Sequence, residues 1–136
     1  MQWLLLIALA INLNSVKQEP NLERRSELAL DNANASLDVV REASNAGDLT
    51  RMQAALTETQ ESVDLAYQSL SDTGKDPRRS PKFFKKAELK TRELLRRLDG
   101  LAQSMDVESQ SMVAKVRDRV AEVHDNLLKG IMSKKK

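Results

Sequence analysis

The side chain with the widest chemical reach in this chain is His124, the single histidine among 136 residues. An imidazole works as a metal ligand or proton carrier when a second ligand or a carboxylate is spaced to join it. A Glu-x-x-His pair would set two ligands on one helix face, and the sequence holds none. Cysteine is absent, which removes thiolate ligands, cysteine nucleophiles, disulfides and a lipid-bearing cysteine. Val120 and Leu128 stand one turn to either side of His124, so it reads as a packed or rim histidine. The sequence contains no Gly-rich phosphate loop, serine elbow or HExxH string. Its carboxylates are numerous but scattered, and no acid and base pair stands out. The expectation is a non-enzyme, with no catalytic, cofactor-binding or metal-binding residue, no cofactor and no small-molecule substrate.

Charge offers a second kind of chemistry. The net charge is only +2, but Lys75 to Arg97 holds ten Lys or Arg against three acids, a local +7 that leaves −5 elsewhere. Arg78, Arg79, Lys82, Lys86 and Arg97 are the candidate anion-binding residues, suited to phospholipid headgroups, cell-wall polyanions or nucleic acid through charge neutralisation. The competing reading is a solvated helix face whose charge is met by acids of neighbouring helices, Glu58 and Glu61 among them. Phe83 beside Phe84 favours a surface role, since only one ring of the pair can point fully inward. Lys134, Lys135 and Lys136 form a basic tail expected to be disordered.

The elements that must position these residues are helices. Three Pro, four Gly and 3% aromatics leave long unbroken runs and too few turn formers for a sandwich or barrel. The first long helix is expected over residues 21–46, capped by Asn21 and stopped by Gly47 in a left-handed conformation. The second, over 48–71, starts at Asp48, and the short link makes the two antiparallel. Ser71 to Arg79 is the one real loop. A third helix, over 81–105, opens with Ser80 as cap and Pro81 in its first turn, and Gly100 within it marks a close neighbour or a bend. The fourth, over 107–130, begins at Asp106 and stops at Gly130.

Apolar residues step by three and four along each helix. Leu56, Val63, Leu94, Leu98, Val116, Val120 and Val123 are expected in the core. The alanine-rich face of the first helix calls for bulky partners such as Leu94, Leu98 and Leu101. One domain over 16–132 follows: an all-α, antiparallel up-down four-helix bundle with left-handed, coiled-coil-like packing, in which helices 1–2 and 3–4 make two hairpins.

Residues 1–15 carry no charge, and Trp3 to Ile11 is a continuous apolar run of nine. That is short of the about 20 residues needed to span a bilayer in a helix, and suits the core of a signal peptide cleaved between Ala10 and Val16. The other reading is an apolar extension of the first helix or an uncleaved anchor. Residues 1–15 are therefore expected to lie outside the core.

The strings Leu22-Glu23-Arg24-Arg25-Ser26-Glu27-Leu28-Ala29, Lys86-Ala87-Glu88-Leu89-Lys90-Thr91-Arg92 and His124-Asp125-Asn126-Leu127-Leu128-Lys129-Gly130-Ile131 resemble small exported bacterial helical-bundle proteins of an uncharacterised family. The resemblance spans about residues 16–132, implies a secreted or periplasmic protein, and transfers no active-site residue. Without a functional leader the protein would be cytoplasmic. The function expected is a non-enzymatic interaction or structural role, with a protein partner or a second copy, and the alternative is an anion-binding module on the basic segment.

Overall fold

The computed structural model describes residues 13–133, which form five α-helices and no strand. These are α1 (Leu13–Lys17), α2 (Leu22–Asn45), α3 (Leu49–Asp72), α4 (Lys82–Gln103) and α5 (Val107–Met132). Three of the long helices start where a short polar side chain satisfies a first-turn amide. Asn21 Oδ1 accepts from the Arg24 amide at 2.9 Å, Asp48 Oδ1 from Arg51 at 3.0 Å, and Asp106 Oδ1 from Ser109 at 2.8 Å. The bond from Ser109 is the chief reason the Asp106 carboxyl lies below its ordinary range. Gly47 follows α2 with φ +70°, the conformation a helix stop of this kind needs. The start of α4 differs from expectation: Pro81 occupies the cap position and no side-chain cap bond forms. Ser80 instead closes the preceding turn through its amide to the Asp76 carbonyl, at 2.8 Å.

All seven residues expected in the core are buried. Around them, α2 packs on α3 and α4, while α5 packs on α4 and α3. Asn32 meets Ser62, Ser36 meets Thr59 and Glu42 meets Arg51, so residue numbers fall along α3 as they rise along α2. Glu88 with His124 and Asp99 with Arg117 show the same antiparallel relation between α4 and α5. Between the hairpins the relation reverses. Glu27, Asp31 and Asp38 pair with Lys86, Lys90 and Arg97 at a constant separation of 59 residues, so α2 and α4 run parallel. The nine-residue connection between α3 and α4 makes this possible. It carries the chain diagonally across the end of the molecule, placing basic α4 beside acidic α2. The long helices thus alternate in direction along the chain, and the parallel pair α2 and α4 lies side by side.

The small-residue face of α2 also finds a different partner. Ala29, Ala33, Ser36, Val40 and Ala43 are buried, as are Ala55, Thr59, Ser62, Ala66 and Ser69 of α3. Asn32 Nδ2 donates to Ser62 Oγ at 2.9 Å, and the Ser36 and Thr59 hydroxyls bond each other. Short side chains can reach across only if the backbones lie close, so on the α3 side small residues answer small ones, while Leu94 and Leu98 are buried in the same core from α4. Leu101 is only half-buried. Ser69 Oγ is the one atom in this seam that is buried without a hydrogen-bond partner among the described residues. Ser69→Ala is therefore expected to raise the unfolding free energy by about 1 kcal/mol, because an unpaired buried hydroxyl costs more than it returns. Denaturant unfolding checks this, and a loss of stability would show that the hydroxyl is partnered.

The glycines exchange the roles expected of them. A side chain at Gly100 would meet nothing within 4 Å, so no neighbour approaches closely there. Gly130 does not stop its helix, which runs on to Met132; a Cβ there would lie 3.2 Å from Pro77 Cγ. Its lack of a side chain lets α5 seat against the α3–α4 connection.

The expected leader boundary falls inside a packed helix. Leu13 and Val16 of α1 are 7% and 5% exposed and belong to the same core, with α1 resting on α2 and α3. Arg25 Nε donates to the Glu19 carbonyl at 2.8 Å and ties the α1–α2 turn down. Burial of apolar surface is what recruits Leu13 and Val16, so the expectation that residues 1–15 lie outside the core is corrected at Leu13, while residues 1–12 and the basic tail 134–136 lie outside the described residues. Deleting residues 1–17 is expected to lower stability by about 3 kcal/mol relative to deleting residues 1–12, through loss of two buried side chains. Equal unfolding midpoints for the two truncations would show that α1 contributes nothing. No helix among the described residues is long and apolar enough to cross a membrane.

Candidate anion-binding surface

The five cations singled out in the sequence are engaged in different ways. Arg97 reaches α2, donating to Asp38 Oδ1 at 2.7 Å and to the Asn34 carbonyl at 2.9 Å. Lys86 Nζ pairs with Glu27 Oε2 at 3.2 Å. Arg78 turns onto Asp76 in its own turn, at 3.1 Å. The Arg78 backbone amide, followed by its guanidinium, holds the Asp76 carboxyl below its ordinary range. Arg79 is exposed and makes no ion pair among the described residues. Lys82 has none either; its ammonium sits over the Phe83 ring at 5.3 Å from the centroid, and Lys86 lies over the same ring at 5.2 Å. Lys82 and Lys86 thus come together around an aromatic face that attracts cations.

Two further bridges complete the side of α4 that faces α2: Lys90 to Asp31 at 2.6 Å, and Lys75, from the connection, to Glu23 at 3.0 Å. The compensating acids are thus Glu23, Glu27, Asp31 and Asp38, and the expectation that Glu58 and Glu61 serve this role is corrected. Glu58 belongs to the α2–α3 seam, where it accepts from Asn32 at 3.0 Å. Half-exposed pairs of this kind each contribute little to stability. Their effect is on direction, because they tie down the cations on one side of α4 and leave the opposite side free of α2, where Lys82, Lys85 and Arg96 make no ion pair among the described residues.

The free side is a regular stripe. Lys82, Lys85, Leu89, Arg92 and Arg96 follow at steps of three, four, three and four, and all are exposed. Leu89, at its centre, is 53% exposed. Lys85 and Arg96 make no ion pair among the described residues, and sequence reasoning passed over both. The signal that would have found them is the second heptad spacing on α4, set half a turn from Phe84, Ala87, Thr91, Leu94 and Leu98.

Arg92 links this stripe to the interior. Its guanidinium donates to both oxygens of Glu88, at 2.8 and 2.7 Å through Nη2, and Nε adds a bond at 2.9 Å. Glu88 is only 6% exposed. His124 of α5 stands 2.7 Å from Glu88 Oε2 through Nε2. Burial pushes the Glu88 carboxyl up, but the hydrogen bonds from His124 and Arg92 outweigh it and the pKa lies below the ordinary range. An ionised carboxylate only accepts, so Nε2 carries the hydrogen. His124 is accordingly a packed residue clamping α5 to α4. Both oxygens of Glu88 are engaged, leaving this cluster without an open position for a substrate or metal. No group of three His, Cys, Asp or Glu among the described residues is placed to hold a metal.

No family model matches the chain, and neither curated proteins nor solved structures give a match.

Proposed function

We propose that this chain is a non-enzymatic interaction protein whose outer α4 stripe docks an acidic amphipathic helix of a partner protein. The observation that carries this reading is the exposed stripe Lys82, Lys85, Leu89, Arg92 and Arg96. Its three-four spacing is that of a helix-packing seam, with an apolar knob at the centre and cations flanking it, and such a seam selects a partner by opposite charge. The four long helices serve as a single left-handed bundle that holds this face rigid. The leader-like residues before Leu13 support action outside the cytoplasm, in keeping with the resemblance to exported bacterial helical proteins.

A second reading rests on an overlapping set of cations: Arg79, Lys82 and Lys85, close in sequence around the start of α4 and exposed, suit an anionic surface such as phospholipid or polyanion. The two separate by their dependence on Leu89. A synthetic acidic helical peptide with leucine at its seam positions is expected to bind the full chain at low salt, weaken as salt rises, and lose at least ten-fold in affinity on Leu89→Asp. Retention on heparin or phosphatidylglycerol vesicles that ignores Leu89→Asp but vanishes with Arg79→Glu, Lys82→Glu and Lys85→Glu selects the second reading. Absence of binding to all three probes at low salt overturns both.

A further inference from the structure

A cleft of about 360 Å³ opens at the end of the molecule where α3 finishes, the connection turns and α5 comes to its last turns. It lies apart from the outer α4 stripe. Phe84 and Leu127, both buried, form its floor, and Pro77 forms one wall. Its shape depends on the glycines: Gly74 turns the connection with φ +69°, and Gly130 lets α5 approach Pro77. Three residues with polar side chains line the cleft beside this floor: Tyr67, Ser71 and Asn126. None of them makes a side-chain hydrogen bond among the described residues. The charge at the rim is already balanced, since Lys75 is bridged to Glu23 at 3.0 Å.

We infer that this cleft binds a small neutral amphiphile, with an aromatic or short alkyl body on Phe84, Leu127 and Pro77 and a hydroxyl or amide head among Tyr67, Ser71 and Asn126. Sites for small molecules have this form: concave, about 300–1,000 Å³, mostly apolar, with a few polar groups that orient the ligand. A hydroxyl or primary amide both donates and accepts, as Tyr67, Ser71 and Asn126 do, so each can be satisfied in one pose. A carboxylate head gains no free cation here and brings its charge close to Glu23. The neutral ligand is therefore preferred.

The test uses the full chain labelled with ¹⁵N and two probes of one shape, 3-phenylpropan-1-ol and 3-phenylpropionate. The alcohol is expected to give saturable shifts at Tyr67, Ser71, Phe84, Asn126 and Gly130, with a dissociation constant on the order of a millimolar, as suits a fragment-sized ligand. The carboxylate is expected to bind several-fold more weakly. Ser71→Leu fills the cleft from an exposed position and should weaken the alcohol at least ten-fold. Asn126→Leu, also at an exposed position, removes a head-group partner and should weaken it several-fold, and it carries the test if Ser71→Leu does not fold. The inference is overturned if the alcohol shows no saturation by about 10 mM, ten times the expected constant. It is equally overturned if the shifts centre on Leu89 or Val107, or if neither substitution changes the affinity.

Discussion

Leu98→Ala lowers the unfolding free energy by about 2–5 kcal/mol, the range for a large-to-small change in a core that cannot fully collapse. Leu98 is 0% exposed and is the last buried residue of the α4 stripe that turns inward. Its neighbours one turn away, Leu94 and the half-buried Leu95, are held by their own packing, so the space left by three carbons and their hydrogens stays largely open. Leu89→Ala is the matched control on the same helix. That side chain is half in water, and its loss is expected to change stability by no more than about 0.5 kcal/mol. Urea unfolding of the two variants reads the difference directly. Equal effects would mean that the inward and outward faces of α4 are assigned the wrong way round.

Glu88→Ala is the second large effect, at about 3 kcal/mol. Removing one member of a buried charged cluster leaves its partners without compensation, and that typically costs about 3–5 kcal/mol. The lower end applies because Arg92 is 53% exposed and returns to water, while His124, 14% exposed, keeps an unpaired Nε2 near the core. The same group sets a pH signature. Its folded pKa lies below the ordinary glutamate value of 4.5, so the unfolded chain takes up its proton first as pH falls. The stabilisation is complete above that ordinary value and is lost as pH drops through the lower, folded one. Wild-type stability is therefore expected to decline below about pH 4.5, and part of that decline disappears in Glu88→Gln, which keeps the shape but does not titrate. Unfolding curves between neutral and acid pH measure it. Parallel profiles for wild type and Glu88→Gln would show that Glu88 is not held ionised by its partners.

Much of the candidate site was hidden for a reason visible in these residues. Lys86, Lys90 and Arg97 look equivalent to Lys82, Lys85 and Arg96 along the chain. They differ only in whether α2 lies beside them, and that depends on Glu27, Asp31 and Asp38, 59 residues away. Glu88 reads as one more surface acid in a basic stretch. Its burial follows from where His124 arrives on α5, and the sequence around Glu88 carries no mark of that.

What the sequence determined by itself is local in origin. Asn21, Asp48 and Asp106 cap their helices through amides three residues on, Gly47 ends α2 within the same turn, and each buried stripe repeats every three or four residues. Such features depend on neighbours within a turn or two, so helix positions and the inward phase of Leu56, Val63, Leu94, Leu98, Val116, Val120 and Val123 could be read directly. The tertiary structure alone decided which helices became neighbours and in what direction. The connection between Asp72 and Lys82 can lead α4 to either side of the first hairpin, and the choice is made by long-range complementarity: acidic α2 against basic α4, and small α2 against small α3. That choice sorts the cations of α4 into bound and free, buries Glu88 against His124, brings Gly130 to Pro77, and so opens the cleft between them.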